Sequence, residues 1–212
     1  MDKKNRAVVV YDLLFERYGD LNWWPAETPY EVIVGAVLTQ NTTWTNVEKA
    51  IAGFNGDLHP ELILNTDIDA LKEIIKPAGF ANQKSAYLQA VTRWFMRYNF
   101  EVEAVSSEPL EKMRTELLAV QGVGQETADA ILLYAFGFPT FVIDKYTMRL
   151  CERLPLEAGK TYGQVKNFFE SNLTESVPLY NNYHALIVMQ CKDHCRKSPN
   201  CEDCPLMDMC QF

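Results

Sequence analysis

The sequence predicts an all-helical protein. Apolar residues recur at helical spacing through most of the chain, the connections between those stretches are short and carry Gly, Pro or Asn, and strand-like alternation is nearly absent. With 212 residues and 48% hydrophobic content, the chain can bury a substantial core and form one or two compact domains.

Taken in order, Val8, Val9, Tyr11, Leu14 and Phe15 share one helical face between Asn5 and Tyr18, and Gly19 ends that helix. An aromatic turn, LNWWPAETP, follows. Thr28, Pro29 and Glu31 then read as a helix start: a capping hydroxyl, a proline suited to the first helical position, and a glutamate placed to complete a capping box. Further helices are expected at 29–39, 43–53, 67–76, 81–98, 109–119 and 125–136, joined by connections such as NGDLHP and KPAGFANQ. The segment FPTFVID reads as extended for a few residues, after which 145–153, roughly 161–171 and roughly 178–191 again read as helices.

Two stretches carry chemistry within this pattern. In LLAVQGVGQETADAILLYAFG a helix gives way to the turn Gln121-Gly122-Val123-Gly124, and a new helix opens near Gln125. Glycines two apart supply φ freedom and remove side chains, so a group outside the protein can reach helix N-terminal amides, which favour a phosphate; the plainer reading is a tight turn between two helices. Downstream, Asp144 follows an apolar run and directly precedes a helix, where it suits an N-cap. The same carboxylate can stabilise positive charge developing on a sugar, or help activate water, as an N-glycosidic bond breaks. His184, in a predicted apolar helix and without a partner cluster, reads as a core histidine.

CRKSPNCEDCPLMDMC places Cys195, Cys201, Cys204 and Cys210 within sixteen residues. Short loops let all four sulfurs reach one metal centre at little closure entropy, and both zinc and a [4Fe–4S] cluster accept four thiolates. Only Cys201 and Cys204 form a CxxC pair, and the wide-spaced outer two suit a cluster wrapped by one continuous loop better than a zinc ribbon. A disulfide framework belongs to small secreted chains, whereas this sequence shows no signal peptide. The formal net charge of −8 disfavours nonspecific coating of nucleic acid, so contact with it must be local. No apolar run reaches membrane-spanning length, and a cytoplasmic, nucleoid-associated monomer is expected.

The glycine hairpin, the aspartate after it and the terminal cysteine loop occur in the order seen in the helix-hairpin-helix DNA glycosylases of the endonuclease III superfamily, which the chain resembles over nearly its whole length. The resemblance implies a six-helix bundle over 26–137, a second helical domain made of 1–25 and 138–212, and an active-site cleft between them. It implies double-stranded DNA with a damaged base as partner, Asp144 as the catalytic carboxylate, Gln121 to Gln125 as the DNA-anchoring hairpin, and the four cysteines as ligands of a [4Fe–4S] cluster. Two departures stand out. Bifunctional members carry a catalytic lysine soon after the second hairpin glycine, where this chain has Gln125, and an amide cannot form the Schiff base that lyase chemistry needs. The usual pattern also has six residues between its first two cysteines against five here, which leaves His194 and Cys191 as conceivable substitutes for Cys195.

WWP at 23–25, GAVLTQNT at 35–42, GFANQK at 79–84 and IDKY at 143–146 are similar to the bacterial 3-methyladenine glycosylases of this superfamily. An alkylated purine is cationic and electron-poor, so aromatic stacking can hold it. Trp23, Trp24, Pro25 and Trp44 are the expected base pocket, with core packing as the alternative for the adjacent tryptophans. By the resemblance Gln40 enters the duplex, the alternative being a buried glutamine that caps a neighbouring helix. Lys84 is expected either to touch a phosphate or to be a solvated surface lysine. Lys145 adjoins Asp144 and is counted with it as a catalytic residue, placed to pair with it, to line the pocket or to act as a substitute amine, with a non-nucleophilic role the favoured reading. The reading is a monofunctional glycosylase for alkylated purines. A bifunctional enzyme for oxidised pyrimidines and a non-catalytic lesion-binding module are the alternatives.

Overall fold

A computed structural model describes residues 5–212, and the first four residues of the segment expected to begin the second domain lie outside it. The described chain is helical with no strand, and it divides into two compact units. One unit joins the N-terminal residues through Trp23 to Pro139–Phe212; the other is Trp24–Phe138.

The continuous unit is built on α2 (Pro29–Leu38), whose residues are almost all buried, as a helix apolar on every side must be. Thr28 caps it by accepting from the Glu31 amide, with Pro29 in the first turn, as the sequence indicates. The capping box is not closed on Thr28, because the Glu31 carboxylate accepts from the amide of Glu27 instead. Around α2 lie α3 (Trp44–Ala52), α4 (Pro60–Asn65), α5 (Ile68–Ile75), α6 (Ala81–Met96), α7 (Val102–Ser106), α8 (Leu110–Leu118) and α9 (Gln125–Tyr134). Helices α4 and α7 were not expected from the sequence, since one or two turns are too short to show a periodic apolar face. Arg114 on α8 forks onto the buried Asp129 of α9, fastening the two arms of the glycine hairpin.

The second unit is built on α12 (Val177–Asp193), packed against α1 (Arg6–Tyr18) and α10 (Lys145–Arg153), with α11 (Tyr162–Asn172) alongside α1 and α10. Asn5 caps α1, and Gly19 ends it at φ 71°. The segment before α10 is extended but joins no sheet, and its backbone groups are met by side chains. Phe141 N–H donates to Glu170 at 2.9 Å, and the Phe141 ring stacks on Phe169 at 4.3 Å with Tyr180 and Tyr183 edge-on. Phe141, Val142 and Ile143 are all buried. This anchoring fixes the point from which Asp144 projects.

Candidate active site

Asp144 is 8% exposed and caps α10. Its Oδ1 accepts from the Thr147 amide at 2.7 Å and from the Thr147 hydroxyl at 2.9 Å, while Oδ2 lies 3.7 Å from His184 Nε2. Burial pushes the carboxyl towards its neutral form, but the His184 imidazole and the two Thr147 donors outweigh it and hold the group below the ordinary aspartate value. The site therefore presents an ionised carboxylate with one oxygen committed to the helix cap. His184 was read from the sequence as a core histidine without partners. It is indeed buried, but α12 sets it against Asp144, forty residues earlier in the chain, a pairing that no local pattern reveals. Lys145, the next residue, is exposed, with its ammonium 5.2 Å from the centre of the Tyr146 ring.

In the other unit the hairpin turn has the geometry its glycines suggest. Gly122 has φ +83°, and a Cβ there would lie 2.1 Å from Tyr87 Cγ, so both backbone and space require glycine. Gly124 precedes α9 with no side-chain cap and nothing within 4 Å of where a Cβ would stand. The first amides of α9 thus face outward from an uncapped helix start, and Gln121 and Gln125 beside them are exposed while Val123 is buried beneath. Gln40 is half-buried and braces this turn: its amide nitrogen donates to Gly122 O and Thr127 Oγ1, both at 2.9 Å. That is the helix-bracing arrangement rather than a free side chain.

One expectation needs correction. Lys84 is neither a phosphate contact nor a solvated lysine: it is 2% exposed, and its ammonium donates to Leu38 O and Ala78 O, each at 2.8 Å. The residues expected to line the base pocket fall in both units. Trp24 and Trp44 meet edge to face at 5.3 Å, with Tyr134 4.9 Å from Trp24, but Trp23 belongs to the other unit, where its ring carries the Lys192 ammonium at 5.4 Å, and Pro25 is exposed. The two indoles make a corner rather than parallel walls. Gly35 lies against it, and a Cβ there would touch both rings at 3.4 Å, an ordinary contact. Phe80 was overlooked: it is 60% exposed and left-handed at φ 50°, at the start of α6. Positive φ is uncommon for an aromatic residue, and the sequence alone does not display it.

Cys195, Cys201, Cys204 and Cys210 all line one pocket, although among the described residues no three metal-binding side chains gather on a single-ion site. Two of the sulfurs already accept hydrogen bonds, Cys195 from Arg153 at 3.3 Å and Cys204 from Gln190 at 3.1 Å. The Cys191 thiol bonded to its sulfur and the Arg153 guanidinium hold Cys195 below the usual thiol range against the effect of burial. Cys191 itself is buried, with its sulfur 3.5 Å from Tyr146 O. His194, which lines the pocket, has its Nδ1 3.1 Å from Asn200 O.

A family model for HhH-GPD superfamily base excision DNA repair proteins matches residues 34–175. The chain is 48% identical over 206 residues to a Methanocaldococcus jannaschii protein provisionally named a DNA repair glycosylase, covering 95% of this chain and 94% of the relative. Endonuclease III of Escherichia coli is 28% identical over 190 residues, with 87% and 84% covered. Among solved structures, a trapped endonuclease III–DNA covalent intermediate superposes with a TM-score of 0.83 at 23% identity, covering all of this chain and 97% of that one. The H. pylori 3-methyladenine DNA glycosylase bound to 1,N6-ethenoadenine gives 0.74 at 29% identity, covering 88% and 94%. The chain belongs to the HhH-GPD superfamily of base excision DNA repair proteins, as a DNA glycosylase of the endonuclease III family.

Proposed function

We propose that the protein excises alkylated purines from double-stranded DNA by hydrolysis alone, leaving an intact abasic site. The observation that carries this reading is the state of Asp144. A carboxylate kept ionised by His184 and Thr147 is a weak base but a strong source of negative potential, suited to the oxocarbenium character that builds on the sugar as the base departs. Such a group needs a good leaving base, and a cationic alkylated purine is one. Resemblance to the 3-methyladenine glycosylase of H. pylori supports the same substrate class, as does the Trp24–Trp44 corner, whose faces offer stacking without a demand for a particular hydrogen-bond pattern.

The hairpin from Gln121 to Gln125 binds a backbone phosphate through the outward amides of α9, and exposed Phe80 serves as an apolar wedge against the duplex. Gln125 gives this helix start an amide where lyase chemistry needs an amine, and Lys145 lacks a nucleophilic role. Cys195, Cys201, Cys204 and Cys210 hold a [4Fe–4S] cluster. The all-thiol donor set and the sulfur-directed hydrogen bonds from Arg153 and Gln190 suit it. When bound, the cluster supplies a crosslink of the loop and a redox centre.

The test is incubation with duplexes carrying 3-methyladenine, 1,N6-ethenoadenine or an oxidised pyrimidine, with and without alkali. Strand breaks in the alkylated duplexes only after alkali are expected, and Asp144→Asn should lower excision by roughly two orders of magnitude or more. Breaks without alkali, or a borohydride-trapped covalent adduct, would overturn the monofunctional reading. Preference for the oxidised pyrimidine would overturn the substrate.

A further inference from the structure

Two segments of the continuous unit are assigned above to DNA, the Gly79–Phe80 turn before α6 and the glycine hairpin, and the turn with Gln40 after α2 braces the hairpin. Nothing in the sequence ties them together, yet two side chains do. Lys84 reaches Leu38 O, the last carbonyl of α2, and Ala78 O, directly before Gly79. Gln40 in turn reaches Gly122 O and Thr127 Oγ1. Tyr87, one turn along α6 from Lys84, fills the space under Gly122 that its missing Cβ leaves.

A buried ammonium is costly, and a methyl-ended side chain could fill the volume without that cost. Burial brings the Lys84 amine down to about 8, with no carboxylate contributing to the shift. What the amine supplies is a clamp on two carbonyls, one of them at the negative end of the α2 dipole. We propose that Lys84 is the positioning residue that locks the Gln40 turn, the Phe80 wedge and the glycine hairpin into a single preformed DNA-binding platform. The platform acts through preorganisation: three loops that are already ordered lose less entropy when they meet the duplex. Lys84 itself touches no DNA.

This inference rests on the DNA-repair reading, and the experiment separates the two. Binding to a duplex with an abasic-site analogue and single-turnover excision at saturating DNA are measured for the full chain and for Lys84→Met, at a temperature where both are folded by circular dichroism. The expected result is binding at least tenfold weaker, with excision at saturation within about twofold of the unsubstituted rate, since Asp144 and its partners lie in the other unit. A Lys84→Met protein that melts at lower temperature but binds as tightly would show a mere stabiliser and overturn the proposal. An unsubstituted protein that does not prefer the abasic duplex overturns the underlying reading instead. If Lys84→Met does not fold, hydrogen exchange on the unsubstituted protein decides. The bonded amides of Gln40, Gly79 and Val123 should open with one common free energy, and independent opening overturns the platform.

Discussion

Asp144 combines burial with ionisation, and the balance depends on one residue that the sequence does not flag. Removing His184 leaves burial as the main influence on the carboxyl, now opposed only by Thr147. We expect His184→Ala to raise the Asp144 pKa, so the acid limb of the excision–pH profile should move upward, while the unsubstituted enzyme keeps its carboxylate ionised to below the ordinary aspartate value. The stability linkage has the matching sign. A depressed native carboxyl contributes stability above its unfolded value of 3.8, lost as pH falls through the native value, and His184→Ala should shrink that contribution. An unchanged acid limb in an otherwise folded variant would remove His184 from the site. Lys84 was illegible for a related reason. Its burial arises where the end of α2 and the turn before α6 close over it, and lysine is so rarely buried that its type points the wrong way.

Helix α10 carries both kinds of site, with Asp144 capping its start and Arg153 in its last position. The Arg153 guanidinium donates to Cys195 Sγ and to the carbonyls of Arg196 and Lys197, and stacks on Phe212 at 4.0 Å, while its own carbonyl accepts from the Gln211 amide. One residue thereby holds the cysteine segment at both ends. Arg153→Ala should leave the helices intact but speed proteolysis of 195–212 and reduce the iron retained after purification, read from metal content and from absorption near ~400 nm. Arg153→Lys should recover only part, because an ammonium lacks the planar fork that serves three acceptors. Equal iron retention in both variants would show the loop to be held without it. At this scale the sequence was largely readable: the ten longer helices lie within a residue or two of their expected bounds, because caps such as Thr28 and Asp144 and the apolar periodicity act locally. The split of Trp23 from Trp24 was not readable, since the boundary between the units falls between adjacent residues.

For the whole molecule, a glycosylase of net charge −8 must bind a polyanion without a broad basic surface. We expect it to do so with neutral donors at the hairpin, where helix amides and a macrodipole replace lysines, and with cations gathered locally, as in the groove lined by Lys145, Arg149, Arg153 and Lys197 beside Glu152. Each phosphate neutralised by a cation contributes a slope of about −0.9 to log K against log salt on duplex DNA, whereas amide contacts release few counterions. With Arg153 engaged by the cysteine segment, the other three cations of this groove give an expected slope of about −3 for the abasic-analogue duplex. The preference for that duplex over an undamaged one should vary little with salt, because both duplexes offer the same backbone phosphates to the same cations. A slope beyond about −6 would show that a longer basic track dominates binding and that the hairpin amides are secondary.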